Sequence, residues 1–288
     1  MMGRDGRGKS FWLYGGMQIF LPLLVYVLGS WTIELLYREL LPVGLFLKHP
    51  AVFQGAENLL LFPLLYALFY GRDQRAWKSL TDGQGCREQE EFPKTDRCRR
   101  HIQKEDRGSR AGILRGKEIL WILCASVCLS RGINHLLELT LLPQRFPGYE
   151  SSSAAIYGEP LWIQVTAVVV AAPLLEELLM RGIVYRRMKF WIGNRGLAVA
   201  GSSLLFAVFH GNLVQGIYAF FLGILFAWLL ERFQGLWAPV AAHGAANGAA
   251  VLANWLSVSI VPAGQPAWEY VWTAALLLAG YGMIRRIG

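Results

Sequence analysis

The stretch that decides the fold is 197–230, LAVAGSSLLFAVFHGNLVQGIYAFFLGILFAWLL, which holds no Asp, Glu, Lys or Arg. A helix needs about 20 apolar residues to cross a hydrocarbon core, so this run is too long for one crossing and divides into two near Asn212–Gly216. Downstream, further apolar runs extend from Leu236 to about Ser257 and from Ala267 to Ile284. Upstream, one begins at Pro160 and carries no charge until Glu176. Another spans Glu118 to Leu139, interrupted by Arg131 and Glu138, and two more cover Val52–Tyr70 and Phe11–Leu28. The reading is an all-α, polytopic transmembrane bundle of about eight spans in the cell membrane. A two-helix region (1–70), a charged loop (71–117) and a six-helix region (118–288) make up the chain.

Composition agrees. Of the 288 residues 54% are hydrophobic and 17% charged, against about 25% charged in soluble domains, and mean hydropathy is +0.35. The net charge of +8 would suggest nucleic acid in a soluble protein. Here 24 of the 28 Lys and Arg fall at the N-terminus or after spans two, four, six and eight. That asymmetry is the positive-inside pattern; it places both termini in the cytoplasm and leaves no role for nucleic acid.

The first run is too long for a secretory h-region, and Gly29-Ser30-Trp31 offers no small-x-small cleavage site, so it reads as a retained helix. Cys124 and Cys128 lie one turn apart and read as small packing residues. Cys86, Cys98 and His101 are an incomplete zinc set. The mixed charge of 71–117 reads as a solvated loop and a candidate docking surface for an acidic partner or anionic headgroups.

Chemistry must come from polar groups that are costly in lipid, since ionisable residues within spans are functional candidates by default. Glu177 and Arg181 are spaced i, i+4 and can pair on one helix face; Glu176, about 100° away on a 3.6-residue turn, is left free to act as a base. The alternative is that Arg181 only ties the end of span four to the cytoplasmic interface. His210 shares a face with Phe206. His243 and Asn247 can point at one spot, as donors suited to a developing oxyanion or as glue between helices. Arg131, His135 and Glu138 form a looser group in the third span.

The combination Glu176-Glu177-x-x-x-Arg181, Phe206-x-x-x-His210 and His243-x-x-x-Asn247 resembles the CPBP family of intramembrane endopeptidases. That family includes type II CAAX prenyl proteases, bacteriocin-processing and immunity (Abi) proteins, and lysostaphin-resistance-like proteins. Gly223 and Gln234-Gly235-Leu236-Trp237 also look like its pattern, and the resemblance covers about 160–257. It implies that Glu176 and His210 activate a water against a peptide carbonyl, that His243 and Asn247 stabilise the oxyanion, and that Glu177 and Arg181 support them. No cofactor is then required, and the implied partner is a membrane-anchored or lipidated (CAAX-type) peptide. Three alternatives stand beside this reading. One is a zinc enzyme with Glu176, His210 and His243 as ligands; another is a non-catalytic scaffold or immunity factor. A transporter is the third, for which no repeat or broken helix pair is evident.

Overall fold

A computed structural model describes residues 5–81, 116–140, 142–256 and 266–287. Cys86, Cys98, His101 and most of the charged loop lie outside the described residues. The described chain is a bundle of helices: α1 (Asp5–Leu40), α2 (Val43–Lys48), α3 (50–81), α4 (Gly116–Leu139), α5 (Leu142–Arg145), α6 (Pro147–Tyr157), α7 (Leu161–Ile192), α8 (Arg195–Phe209), α9 (Leu213–Phe233), α10 (Trp237–Trp255) and α11 (Pro266–Ile287). Helices stand at each expected span. Five of them, in α1, α3, α4, α7 and α9, are long and apolar enough to cross a membrane, and α8 is apolar but shorter. Their outward side chains are apolar, as lipid contact requires; on α1, Phe20, Leu24, Leu28 and Trp31 are all at least half exposed.

Three boundaries differ from expectation. Helix α1 runs on to Leu40, so Gly29-Ser30-Trp31 lies inside a helix. The second span continues through a π-helical turn, Tyr66–Tyr70, into Gly71–Thr81, and the loop therefore starts later than residue 71. Most consequentially, the fourth span does not end at the glutamates: α7 extends to Ile192, putting Glu176 and Glu177 in its interior. A charge pattern taken alone marks the pair as an end because it cannot show that the charges are buried.

Helix ends follow local chemistry. Gly193 stops α7 in a left-handed conformation (φ 67°) that a residue without Cβ adopts freely, and Asn194 then caps α8 by accepting from the Leu197 N–H at 3.0 Å. The same device repeats at Gly211 (φ 69°) and Asn212, which accepts from the Gln215 N–H at 2.8 Å. This turn divides the uncharged run, slightly earlier than expected. The segment ends that follow spans two, four, six and eight are tied together: Arg187 to Asp73 at 2.7 and 2.9 Å, Lys189 to Glu231 at 2.9 Å, and Arg232 to the Ile287 carbonyl at 3.1 Å.

The core gathers on α7, where Leu175, Leu178, Met180 and Ile183 pack against Leu61 and Leu65 of α3, Phe206 of α8, Leu222 and Phe226 of α9, and Ala242 and Ala246 of α10. Helix α3 approaches α7 so closely that a Cβ on Gly55 would sit 2.9 Å from the Ala167 Cβ and 3.2 Å from its Cα. Overpacking of this kind costs about 1–3 kcal/mol. Gly55→Ala is therefore expected to lower the melting temperature in detergent, whereas Gly16→Ala, with open space around it, should not; equal melting of both would contradict the packing.

Candidate active site

Helix α7 is built to present its carboxylates. Two π-helical stretches, Val165–Ala171 and Leu178–Tyr185, flank the short α-helical piece Ala172–Glu177, an irregularity frequent at functional sites. Pro173 has no N–H to give back to the preceding turn. Helix α10 uses the carbonyls there: Asn247 Nδ2 donates to the Val168 oxygen at 2.9 Å, and Gly244 lets the backbones close, since a Cβ on it would lie 3.0 Å from the Val169 oxygen.

Arg181 Nη1 donates to Glu177 Oε1 at 3.1 Å, and Nδ1 of His243 bonds to the same oxygen at 2.9 Å. Glu177 and Arg181 are 0% and 1% exposed, so the pair is central to the core and not an interfacial anchor. The guanidinium has few other polar partners: Nε and Nη2 are buried without a hydrogen bond. Aromatic faces compensate, with Phe206 at 4.3 Å and Phe226 at 5.3 Å from Cζ. Gly223 makes the room, because a Cβ there would meet Arg181 Nη2 at 3.1 Å and Ser203 at 3.0 Å. His243 in turn stacks on Phe226 at 4.9 Å.

Glu176 turns the other way. Its Oε2 is buried without a hydrogen bond and lies 3.8 Å from Nε2 of His243. Both residues, with His210 and Asn247, line one cavity of about 480 Å³. His210 ends α8 and bonds through Nδ1 to the Phe206 carbonyl at 2.8 Å. A carbonyl can only accept, so Nδ1 carries the proton and Nε2 keeps its lone pair. The Glu177 carboxylate, ionised beside Arg181, likewise takes the Nδ1 proton of His243. A neutral His243 would then offer a lone pair at Nε2; it becomes a second donor only as imidazolium. Among the described residues, no group of three or more His, Cys, Asp or Glu is arranged to hold a metal ion.

The cavity thus brings together Glu176, His210, His243 and Asn247, with Glu177 and Arg181 behind them. It also draws on residues that motif reading passed over. Tyr26 of α1 and Gln54 and Asn58 of α3 line it, as do Gln215 and Tyr218 of α9. Asn58, an amide in an apolar span, was a legible signal. Another missed contact staples the start of α3 to the start of α7: His49 Nδ1 bonds Glu159 Oε2 at 2.9 Å, and Gln164 Nε2 donates to the Glu159 carbonyl at 2.7 Å.

Residues 158–249 match the Rce1-like family, type II CAAX prenyl endopeptidases. The match falls on the same segment that carries the CPBP-like motifs. A curated relative, YdiL of Bacillus subtilis (strain 168), a candidate membrane peptidase by name, is 28% identical over 136 residues, 44% of this chain and 53% of that protein. The chain therefore spans about half the length of that relative. No solved structure matches the chain. The apolar helices, the Rce1-like match and this relative make it a multi-pass membrane protein.

Removing one partner of a buried ion pair costs about 3–5 kcal/mol, because the other charge stays buried and uncompensated. Arg181→Met should therefore destabilise the protein by about that amount in reversible denaturation in detergent micelles. An unfolding midpoint equal to the parent's would show that Arg181 is not the counter-charge.

Proposed function

We propose that the chain is an intramembrane endopeptidase that hydrolyses peptide bonds of membrane-anchored substrates, lipidated ones among them, with a carboxylate-activated water. The observation that carries this reading is the buried, partnerless Glu176 Oε2 in a cavity shared with His210, His243 and Asn247. A general base needs a free lone pair beside the reacting water; Glu177 Oε2 also has no hydrogen bond, but Glu177 holds Arg181 and His243 through Oε1 and does not line the cavity, whereas Glu176 does.

In the proposed reaction, Glu176 takes one proton of a water whose other hydrogen is held by Nε2 of His210. The hydroxide attacks the scissile carbonyl carbon and its π electrons move to oxygen. The oxyanion lies against Nε2–H of a His243 imidazolium and the Asn247 N–H not given to Val168. Two carboxylates, one guanidinium and one imidazolium keep the cluster neutral. As the tetrahedral centre collapses, the C–N bond breaks and Glu176 returns its proton to the leaving nitrogen, yielding an acid and an amine. Each oxyanion donor contributes on the order of 3 kcal/mol to such a transition state. No step is routed through a metal. The matched family segment and the relative's name support a membrane peptidase.

Peptidomics of membranes carrying the parent or Glu176→Ala protein tests it, with both variants confirmed to melt alike. New cleaved termini are expected with the parent only. Identical peptide pools would remove support for proteolysis and favour a scaffold. Cleavage by purified protein should also persist after exhaustive chelation; loss of activity restored by added zinc would replace the glutamate mechanism with a metal one.

A further inference from the structure

The loose trio of the third span separates into three roles. His135 is a core residue whose Nδ1 bonds Thr273 Oγ1 at 2.9 Å, joining α4 to α11. Glu138 is exposed. Arg131 is neither: it is half-buried, its Nε is shielded from solvent and has no hydrogen bond, and no carboxylate pairs with it among the described residues. A guanidinium in an apolar span with no carboxylate partner among the described residues is costly and suits an anionic ligand.

What surrounds it has matching chemistry. Asn134, three residues on and therefore on the same face of α4, lines the cavity that holds Glu176, as do Tyr149, Tyr157 and Tyr218. The Arg131 charge acts on all three tyrosine hydroxyls. Burial above all holds Tyr149 and Tyr157 above the ordinary phenol range, Glu138 and Tyr149 respectively adding to it while Arg131 opposes. Both phenols therefore remain protonated donors. Tyr218 and Ser130 are joined at 2.8 Å, and the serine hydroxyl donates to the Ala246 carbonyl at 3.4 Å, which commits the Tyr218 proton to Ser130. The Tyr149 and Tyr157 hydroxyls and the Asn134 amide are the donors of this wall, near a positive charge with no carboxylate partner among the described residues, in a cavity whose other polar wall carries Glu176.

We propose that Asn134, Tyr149 and Tyr157, under the field of Arg131, form a carboxylate-binding subsite for the peptide that enters the cavity. Arg131 is a positioning residue that acts through the tyrosines. The inference rests on the peptidase reading only in taking the ligand to be a peptide. The carboxylate has two sources, a free C-terminus or an acidic side chain, and the subsite would set which peptides are held beside Glu176.

Binding, measured without turnover, tests it. The probes are an N-palmitoylated, dansyl-labelled Gly-Ala-Leu-Ala peptide with a free C-terminus, its C-terminal amide, and the amide with Glu replacing Leu. Their affinities are read by fluorescence with the purified protein in detergent. A charge-assisted contact predicts about tenfold tighter binding of a carboxylate form over the plain amide. If the free acid alone gains, the subsite reads a C-terminus; if the Glu probe gains, it reads a side chain. Glu176→Ala should keep the preference, so a dead peptidase and a false subsite are separable. Arg131→Gln should reduce it to within about twofold, and Tyr157→Phe, which removes one donor without the charge, should weaken it in part. Equal affinity for all three probes, or a preference unchanged in Arg131→Gln, overturns the proposal. So does thermal stabilisation by phosphatidylglycerol that vanishes in Arg131→Gln without any probe preference, which would give the site to a lipid headgroup.

Discussion

One carboxylate oxygen organises this protein. Glu177 Oε1 accepts from Arg181 and from His243 at once, in the interior of a helix surrounded by apolar side chains. Two charges taken from water cost several kcal/mol each, which their attraction offsets only with good geometry and extra hydrogen bonds. The sequence around them follows from that requirement. Gly223 clears space for the guanidinium, Phe206 and Phe226 cover it with aromatic faces, and α7, α8, α9 and α10 must converge for the cluster to form. The geometry of the candidate site and the packing of the bundle are therefore one arrangement.

That arrangement distinguishes two chemically identical side chains. A backbone carbonyl fixes the proton of His210 on Nδ1 and leaves a basic nitrogen towards the cavity. A carboxylate fixes the proton of His243 in the same place. On the proposed reading one imidazole aims the water and the other holds the oxyanion. The difference comes from what lies behind each ring. Glu176 and Glu177 are separated in the same way: adjacent in sequence, one holds Arg181 and His243 in the core and the other lines the cavity.

Much of this was legible in the residues. The uncharged run 197–230 gave the membrane bundle, and i, i+4 spacing gave the Glu177–Arg181 pair and the His243–Asn247 face. Depth was not legible. The glutamates looked like the end of a span because the charges after them, Arg186, Arg187 and Lys189, resemble a cytoplasmic loop; in the fold α7 continues, and Arg187 and Lys189 pair with Asp73 and Glu231 from distant segments. Spacing could show that His243 bears a donor, but not that Glu177 takes its Nδ1 proton, since the two are 66 residues apart. The cavity wall from α1 and α3 carries no motif, and Tyr26, Gln54 and Asn58 enter the site only through packing.

The central claim is that Glu177 and the Phe206 carbonyl set the protonation of the two histidines. Nitrogen-15 NMR of histidine-labelled protein in micelles measures it directly. The account predicts a fixed proton on Nδ1 of both rings. In Glu177→Leu, Nδ1 of His243 should lose that fixed proton while His210 is unchanged. An unprotonated Nδ1 on either ring, or a His243 Nδ1 indifferent to Glu177→Leu, would contradict the account.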